Sequence, residues 1–110
     1  MPGKQVVTYR TESGKEPFNE WLDSLRDDNT VARIISRLGR VELGNYGDAK
    51  SVGKGVKELR YTFGAGYRVY FAEVDNVIVL LLCGGDKSSQ KRDIKTAQRY
   101  WQDYQQRIET

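Results

Sequence analysis

Apolar side chains recur every three or four residues in three segments of the chain, which is the spacing of an amphipathic helix. The segments cover residues 18–25, 31–41 and 94–108. Ser13 and Glu16 have the spacing of a capping box before the first segment, and Asp27, Asp28 and Asn29 stand where they can cap the second. The pattern therefore predicts two helices in the first half of the chain and a third from about residue 89 to 107.

Other segments alternate with a period of two or form a short apolar run, and both features predict β-strands. The predicted strands cover residues 5–10, 56–63, 67–74 and 77–83. A glycine-containing turn at residues 64–66 and a second turn at Asp75 and Asn76 join the last three strands into an antiparallel meander. Residues 44–55 contain four glycines and are expected to form a flexible loop.

The predicted order of elements is β-α-α-β-β-β-α. It separates the helices from an antiparallel sheet, so the fold class is α+β. A chain of 110 residues is long enough for one hydrophobic core and short for two. We therefore expect a single domain over residues 1–110.

The apolar run at residues 77–83 is too short to span a bilayer, and residues 1–5 lack the apolar core of a signal peptide. We therefore expect a cytoplasmic protein that makes no membrane contact. Cys83 is the only cysteine, which excludes an internal disulfide and a cysteine-rich metal site. Its apolar neighbours favour a buried structural thiol.

The chain contains no histidine. This absence excludes a Ser-His-Asp triad, a Cys-His pair, histidine-ligated zinc and acid–base catalysis by imidazole. Any chemistry must therefore use carboxylate, tyrosine, lysine or arginine side chains.

Positive charge is concentrated in the middle of the chain, since residues 29–71 hold eight basic and three acidic side chains. A basic centre suits a polyanionic ligand, although a solvated surface has the same composition. Arg33, Arg37 and Arg40 lie along one side of the second predicted helix, either as an exposed face or as phosphate contacts. The candidate RNA- or phosphate-binding residues are Arg33, Arg37, Arg40, Lys50, Lys54, Lys57 and Arg60.

Strand alternation also predicts which side chains share a face of the hairpin. The apolar residues of the two strands belong together on the core. This choice places Glu58, Arg60, Arg68 and Tyr70 together on the opposite face, which we expect to be exposed. An acid, two guanidinium groups and a phenol are thereby brought together on a rigid surface.

These side chains are sufficient for metal-free cleavage of RNA by attack of a ribose 2′-hydroxyl on the adjacent phosphate. Glu58 could act as the base, and Arg68 with Arg60 could bind the phosphate. Tyr70 or Lys87 could protonate the departing oxygen, or Tyr70 could stack on a base. A cross-strand ion pair beside an ordinary tyrosine is the structural alternative.

Five ordered motifs give the chain a resemblance to toxins of the RelE/ParE superfamily, and within it to the HigB-like addiction module killer proteins related to a phage Gp49 protein. They cover residues 18–22 (FNEWL), 44–48 (GNYGD), 55–60 (GVKELR), 66–71 (GYRVYF) and 84–94 (GGDKSSQKRDI). The resemblance implies an α+β fold of the microbial RNase type, with two N-terminal helices packed on an antiparallel sheet. Arg68 matches the phosphate-binding arginine of the family. Glu58 falls where some relatives have a catalytic glutamate, and Lys87 falls near a basic residue that contacts the scissile phosphate.

The resemblance further implies a type II toxin that cleaves translated mRNA on the ribosome without a metal or other cofactor. Its expected partners are mRNA, the ribosome and a HigA-like helix-turn-helix antitoxin, with operator DNA bound only through the antitoxin. Many nucleases of this fold carry an active tyrosine or histidine towards the C-terminal end, whereas the comparable stretch of this chain offers Ser88, Gln90 and Asp93. Two alternatives stay open: a ParE-like toxin that inhibits DNA gyrase without nuclease activity, and a non-toxic phage accessory protein.

Overall fold

The structure is a computed structural model that describes residues 3–108. It contains five strands and three α-helices in these residues. In chain order they are β1 (Gln5–Thr8), α1 (Pro17–Ser24), α2 (Asp28–Glu42), β2 (Ala49–Gly53), β3 (Val56–Arg60), β4 (Arg68–Val74), β5 (Ile78–Gly85) and α3 (Gln90–Ile108), with a 3-10 turn (Lys87–Ser89) before α3. No helix of the described segment has both the length and the apolar character that a membrane crossing needs.

The five strands form one sheet in the order β1-β5-β4-β3-β2. The predicted antiparallel meander is confirmed for β3, β4 and β5. β1, however, runs parallel to β5, with Val6 beside Val79, so the sheet is mixed and the prediction of a purely antiparallel sheet is wrong. The reason is that β1 lies beside a strand about seventy residues away in the sequence, and strand alternation carries no information about such a neighbour.

The predicted loop at residues 44–55 contains the strand β2, which pairs with β3 through Ala49 and Leu59. The observed order is therefore β-α-α-β-β-β-β-α, with one strand more than predicted. β2 was missed because it is an edge strand rich in polar and small residues. A turn over Gly53, Lys54 and Gly55 reverses the chain into β3, with positive φ angles at all three residues.

The predicted cap of α1 is wrong, whereas α2 is capped by one of its predicted residues. Ser13 does not cap α1; it lies in a turn where its hydroxyl contacts Thr11 at 3.1 Å, and the helix begins after Glu16 without a side-chain cap. The proline at the first helical position lowers the need for one, because it has no N–H group to satisfy. Of the three predicted candidates, Asp27 caps α2, accepting a hydrogen bond from the Asn29 amide at 3.0 Å.

Both faces of the sheet are covered by helices. On one face, buried residues of α1 and α2 such as Phe18 and Ile34 pack against Leu59 and Phe71, so the predicted packing of the two N-terminal helices on the sheet is confirmed. On the other face, α3 packs through Ala97. The apolar run in β5 has no alternation because this strand is buried on both sides.

Cys83 lies in the core beneath α3 and is 6% exposed. Burial raises the pKa of its thiol to about 12. The prediction of a buried thiol is therefore confirmed.

Candidate active site

The four polar side chains predicted to share a face of the hairpin do lie together. Glu58 stands directly opposite Tyr70, and Arg60 stands directly opposite Arg68 in the antiparallel β3–β4 pair. Residues that face each other across such a pair project to the same side of the sheet. The prediction of a shared face is therefore confirmed.

The prediction that this face is exposed is wrong, because α3 covers it. Glu58 and Tyr70 are 0% exposed and Arg68 is 7% exposed, whereas Arg60 is partly exposed. The physical reason is that the apolar stripe of α3 must itself be buried, and the sheet face with Tyr70 offers the apolar surface for it.

A buried ion pair occupies the centre of this site. The Arg68 Nε atom lies 3.7 Å from Oε2 of Glu58, and Gln90, the first residue of α3, donates a hydrogen bond from its side-chain amide to the same oxygen at 2.9 Å. Exclusion of water strengthens the attraction between the two charges. Glu58 is thus held from one side by β4 and from the other by α3.

Tyr70 lies beside the same carboxylate. Burial and the charge of Glu58 raise the pKa of its hydroxyl, so the phenol stays protonated at neutral pH. In this conformation the ring cannot stack on a nucleobase, because no part of it reaches the surface.

The site also concentrates buried polar atoms that make no hydrogen bond of normal geometry. Over residues 3–108, the buried side-chain nitrogen and oxygen atoms that lack a hydrogen bond of normal geometry all belong to the four predicted residues. They are Oε1 of Glu58, Nε of Arg60, Nε of Arg68 and the hydroxyl of Tyr70. Each unpaired buried polar atom costs about 1–3 kcal/mol. Because these atoms lie together, a bound ligand could supply the hydrogen-bond partners that the protein does not.

An open cleft reaches this buried cluster from the surface. The hairpin cleft, as we name it, has a volume of about 400 Å³ and is lined by Arg60, Arg68, Lys87 and the turn 64–66. Gly66 is required at this turn, because it has a positive φ of 75° and a side chain there would contact Lys87. With three cations along its wall and Asp48 as its acidic residue, the cleft suits an anion such as phosphate.

A second and larger cleft adjoins the first. The α2 cleft, as we name it, has a volume of about 670 Å³ and lies between α2 and the end of β3. It shares Arg60 and Asp48 with the hairpin cleft, and these two side chains form an ion pair at 3.8 Å. The three arginines of α2 line it, but they differ in what they contact.

Arg37 binds backbone carbonyl groups of its own chain. It donates hydrogen bonds to the carbonyl oxygens of Tyr46 at 3.0 Å and Asp48 at 2.9 Å, and to that of Arg60. These bonds tie α2 to the segment before β2 and to the end of β3. Arg37 is half-buried and therefore has a structural role in addition to the phosphate contact that remains a prediction.

A comparison with protein-family models gives a match over residues 20–102 to the family described as phage derived protein Gp49-like (DUF891). The match covers most of the chain, including every candidate site residue. The chain belongs to the Gp49-like family. This is a family of RelE/ParE-like toxins associated with toxin–antitoxin pairs. The chain is also 50% identical over 80 residues to an uncharacterized protein of Haemophilus influenzae, an alignment that covers 73% of this chain and 81% of the relative.

The lysines predicted for this Gp49-like chain are dispersed. Lys57 projects to the opposite face of the sheet and pairs with Glu73 at 2.7 Å. Lys54 lies in the β2–β3 turn, next to α3, and Lys50 is exposed on the edge strand, opposite Glu58. The structure therefore brings Lys87 to the arginine cluster and leaves these three lysines outside both clefts.

Two contacts of the Gp49-like site were not predicted. Gln90 holds Glu58, and Phe63 carries the Arg33 guanidinium over its ring at 3.7 Å. The motif at residues 84–94 includes Gln90 and so contained a signal for the first. No pattern in the sequence indicated the second, because it joins a helix and a hairpin turn thirty residues apart.

Proposed function

We propose that this Gp49-like chain is the toxin of a type II toxin–antitoxin pair and acts as a ribosome-dependent endoribonuclease on mRNA. Membership of a toxin family supports the toxin role. The main support for the nuclease is that four buried polar atoms without a hydrogen bond of normal geometry lie together beside an open cationic cleft. The oxygen atoms of a phosphodiester are acceptors that would satisfy the two guanidinium groups.

In this proposal the scissile phosphate binds in the hairpin cleft. Arg68 and Arg60 donate to its non-bridging oxygens, and the Lys87 ammonium lies on the same wall. Cations placed in advance where negative charge develops lower the barrier, because they need not reorganise during the reaction. Glu58 fixes the orientation of the Arg68 guanidinium from below.

The reaction is an in-line attack. The 2′-oxygen forms a bond to phosphorus while the bond from phosphorus to the 5′-oxygen breaks, which leaves a 2′,3′-cyclic phosphate and a 5′-hydroxyl. Glu58 takes the proton of the 2′-hydroxyl through Oε1, the carboxylate oxygen without a hydrogen bond. This step requires the Gln90 end of α3 to move aside, because the carboxylate is fully buried.

Lys87 supplies the proton to the departing 5′-oxygen, since it is exposed at the cleft. Tyr70 is assigned to support Glu58, because it stands directly opposite Glu58 in the β3–β4 pair. The family supports an antitoxin partner. We propose that this partner is a HigA-like helix-turn-helix protein, through which alone the pair binds operator DNA.

The proposal is tested by a short induction of the chain in bacteria without its antitoxin, followed by mapping of transcript 5′ ends. We expect new 5′ ends inside translated reading frames, and none on a reporter transcript whose start codon has been removed. Arg68→Lys keeps a positive charge beside Glu58 but loses the planar fork, so cleavage should fall by about tenfold or more. Arg92→Lys, on the exposed side of α3, is the matched control and should cleave normally.

Intact transcripts during growth arrest would contradict the nuclease. If the arrest came with DNA damage, the ParE-like alternative of gyrase inhibition would replace it. Normal growth during expression without antitoxin would point to a phage accessory protein. Equal cleavage by Arg68→Lys and Arg92→Lys would remove Arg68 from the site while leaving the activity itself in place.

A further inference from the structure

The α2 cleft is the larger of the two connected clefts, at about 670 Å³ against about 400 Å³ for the hairpin cleft. Arg60, Tyr61 and Thr62 line both. A flexible polyanion that occupies the hairpin cleft can therefore continue past Arg60 into the α2 cleft. The geometry provides two adjacent positions for one ligand.

The three arginines that line the α2 cleft differ in how they could contact such a ligand. The guanidinium carbon of Arg33 lies over the Phe63 ring, 3.7 Å from the ring centroid, and the exposed side chain lines the cleft. Arg40 is also exposed. The side chain of Arg40 makes no hydrogen bond or ion pair with other residues in the range 3–108. Arg37, in contrast, donates three hydrogen bonds to backbone carbonyls of its own chain.

A guanidinium plane stacked on an aromatic ring is a platform on which a nucleobase can stack in turn, and an unpaired arginine nearby can bind the adjoining phosphate. We propose that the α2 cleft binds the nucleotide next to the scissile phosphate in a single-stranded RNA, with its base on Arg33 and its phosphate on Arg40. This inference rests on the proposed function, since it places the scissile phosphate in the hairpin cleft.

The chemistry of the cleft favours unpaired RNA over other polyanions. In a duplex, the bases are stacked on each other and cannot reach a platform between a helix and a hairpin. An acidic peptide would pair with the arginines but would leave the Arg33–Phe63 surface without a planar partner.

The test measures binding of 2′-O-methyl RNA, which cannot be cleaved by 2′-hydroxyl attack, to the purified full chain by fluorescence anisotropy. The probes are a dinucleotide and two hexanucleotides that extend it on the 5′ or the 3′ side. We expect one hexanucleotide to bind about tenfold tighter than the dinucleotide, which is the usual contribution of one stacked base. Arg33→Gln and Arg40→Gln should each lose most of that gain and retain the affinity for the dinucleotide.

Lys95→Gln is the charge-matched control, because Lys95 is exposed on α3, on the other side of the sheet. If Lys95→Gln also lost the tighter binding of the hexanucleotide, general attraction to positive charge would explain the binding. That result would overturn the inference. Equal affinity of the wild-type chain for all three probes, or binding of none, would overturn it too. Tighter binding of an acidic peptide than of the hexanucleotides would reassign the cleft to a protein partner.

Transcript mapping separates the two proposals. If the wild-type chain cleaves transcripts but binds the longer probes no more tightly than the dinucleotide, the α2 cleft is not a subsite. The proposed nuclease activity is then retained. If the gain is present and transcripts stay intact, the cleft binds RNA and the proposed cleavage fails.

Discussion

Replacing Arg68 with glutamine should destabilise the protein much more than replacing Glu58 with glutamine. Glu58 is sealed from solvent, whereas Arg68 lines the hairpin cleft. Removal of Arg68 therefore leaves a buried carboxylate without its cation. Removal of the carboxylate leaves a cation that solvent in the cleft can hydrate.

Arg68→Gln should cost about 3–5 kcal/mol, because removing one partner of a buried ion pair leaves an uncompensated charge in the core. Loss of the Glu58 carboxylate, with a glutamine of similar size in its place, should cost about 1–2 kcal/mol.

The free energy of unfolding is measured by urea denaturation at pH 7 for the wild type and both variants. We expect the larger loss in Arg68→Gln, because only this variant leaves a charge sealed from solvent without its partner. Arg92→Gln, an exposed control, should change stability by no more than about 0.5 kcal/mol. Equal losses in the two site variants would refute the reasoning.

Three further predictions concern single side chains. Arg37→Gln should lower the free energy of unfolding by about 2 kcal/mol, because it loses charged hydrogen bonds to backbone carbonyls, while thermal unfolding of Arg40→Gln should match the wild type. Cys83 has a thiol pKa raised from 9.0 to about 12 in the fold, so stability should fall as pH rises from 9 towards 12; Cys83→Ala should show a smaller fall, and an equal fall would assign the effect elsewhere. Lys87→Gln should leave the urea midpoint unchanged but reduce transcript cleavage by about a hundredfold, and undiminished cleavage would exclude it as the acid.

The sequence by itself determined the features that depend on local geometry. Side chains alternate across a strand because of the backbone itself, so the shared face of Glu58, Arg60, Arg68 and Tyr70 could be predicted without knowing the fold. The same holds for the helical stripes and for the cap at Asp27, where the bonded groups are only two residues apart.

The tertiary structure decided which faces are covered and which charges are available. Whether Glu58 meets water depends on α3, whose Gln90 lies 32 residues away in the sequence. The role of Arg37 likewise depends on carbonyl groups that the fold brings to it. The parallel neighbour of β1 has the same origin. Burial and pairing of this kind are properties of segments that meet only in the folded chain, so local periodicity can identify the side chains of a site but not their accessibility.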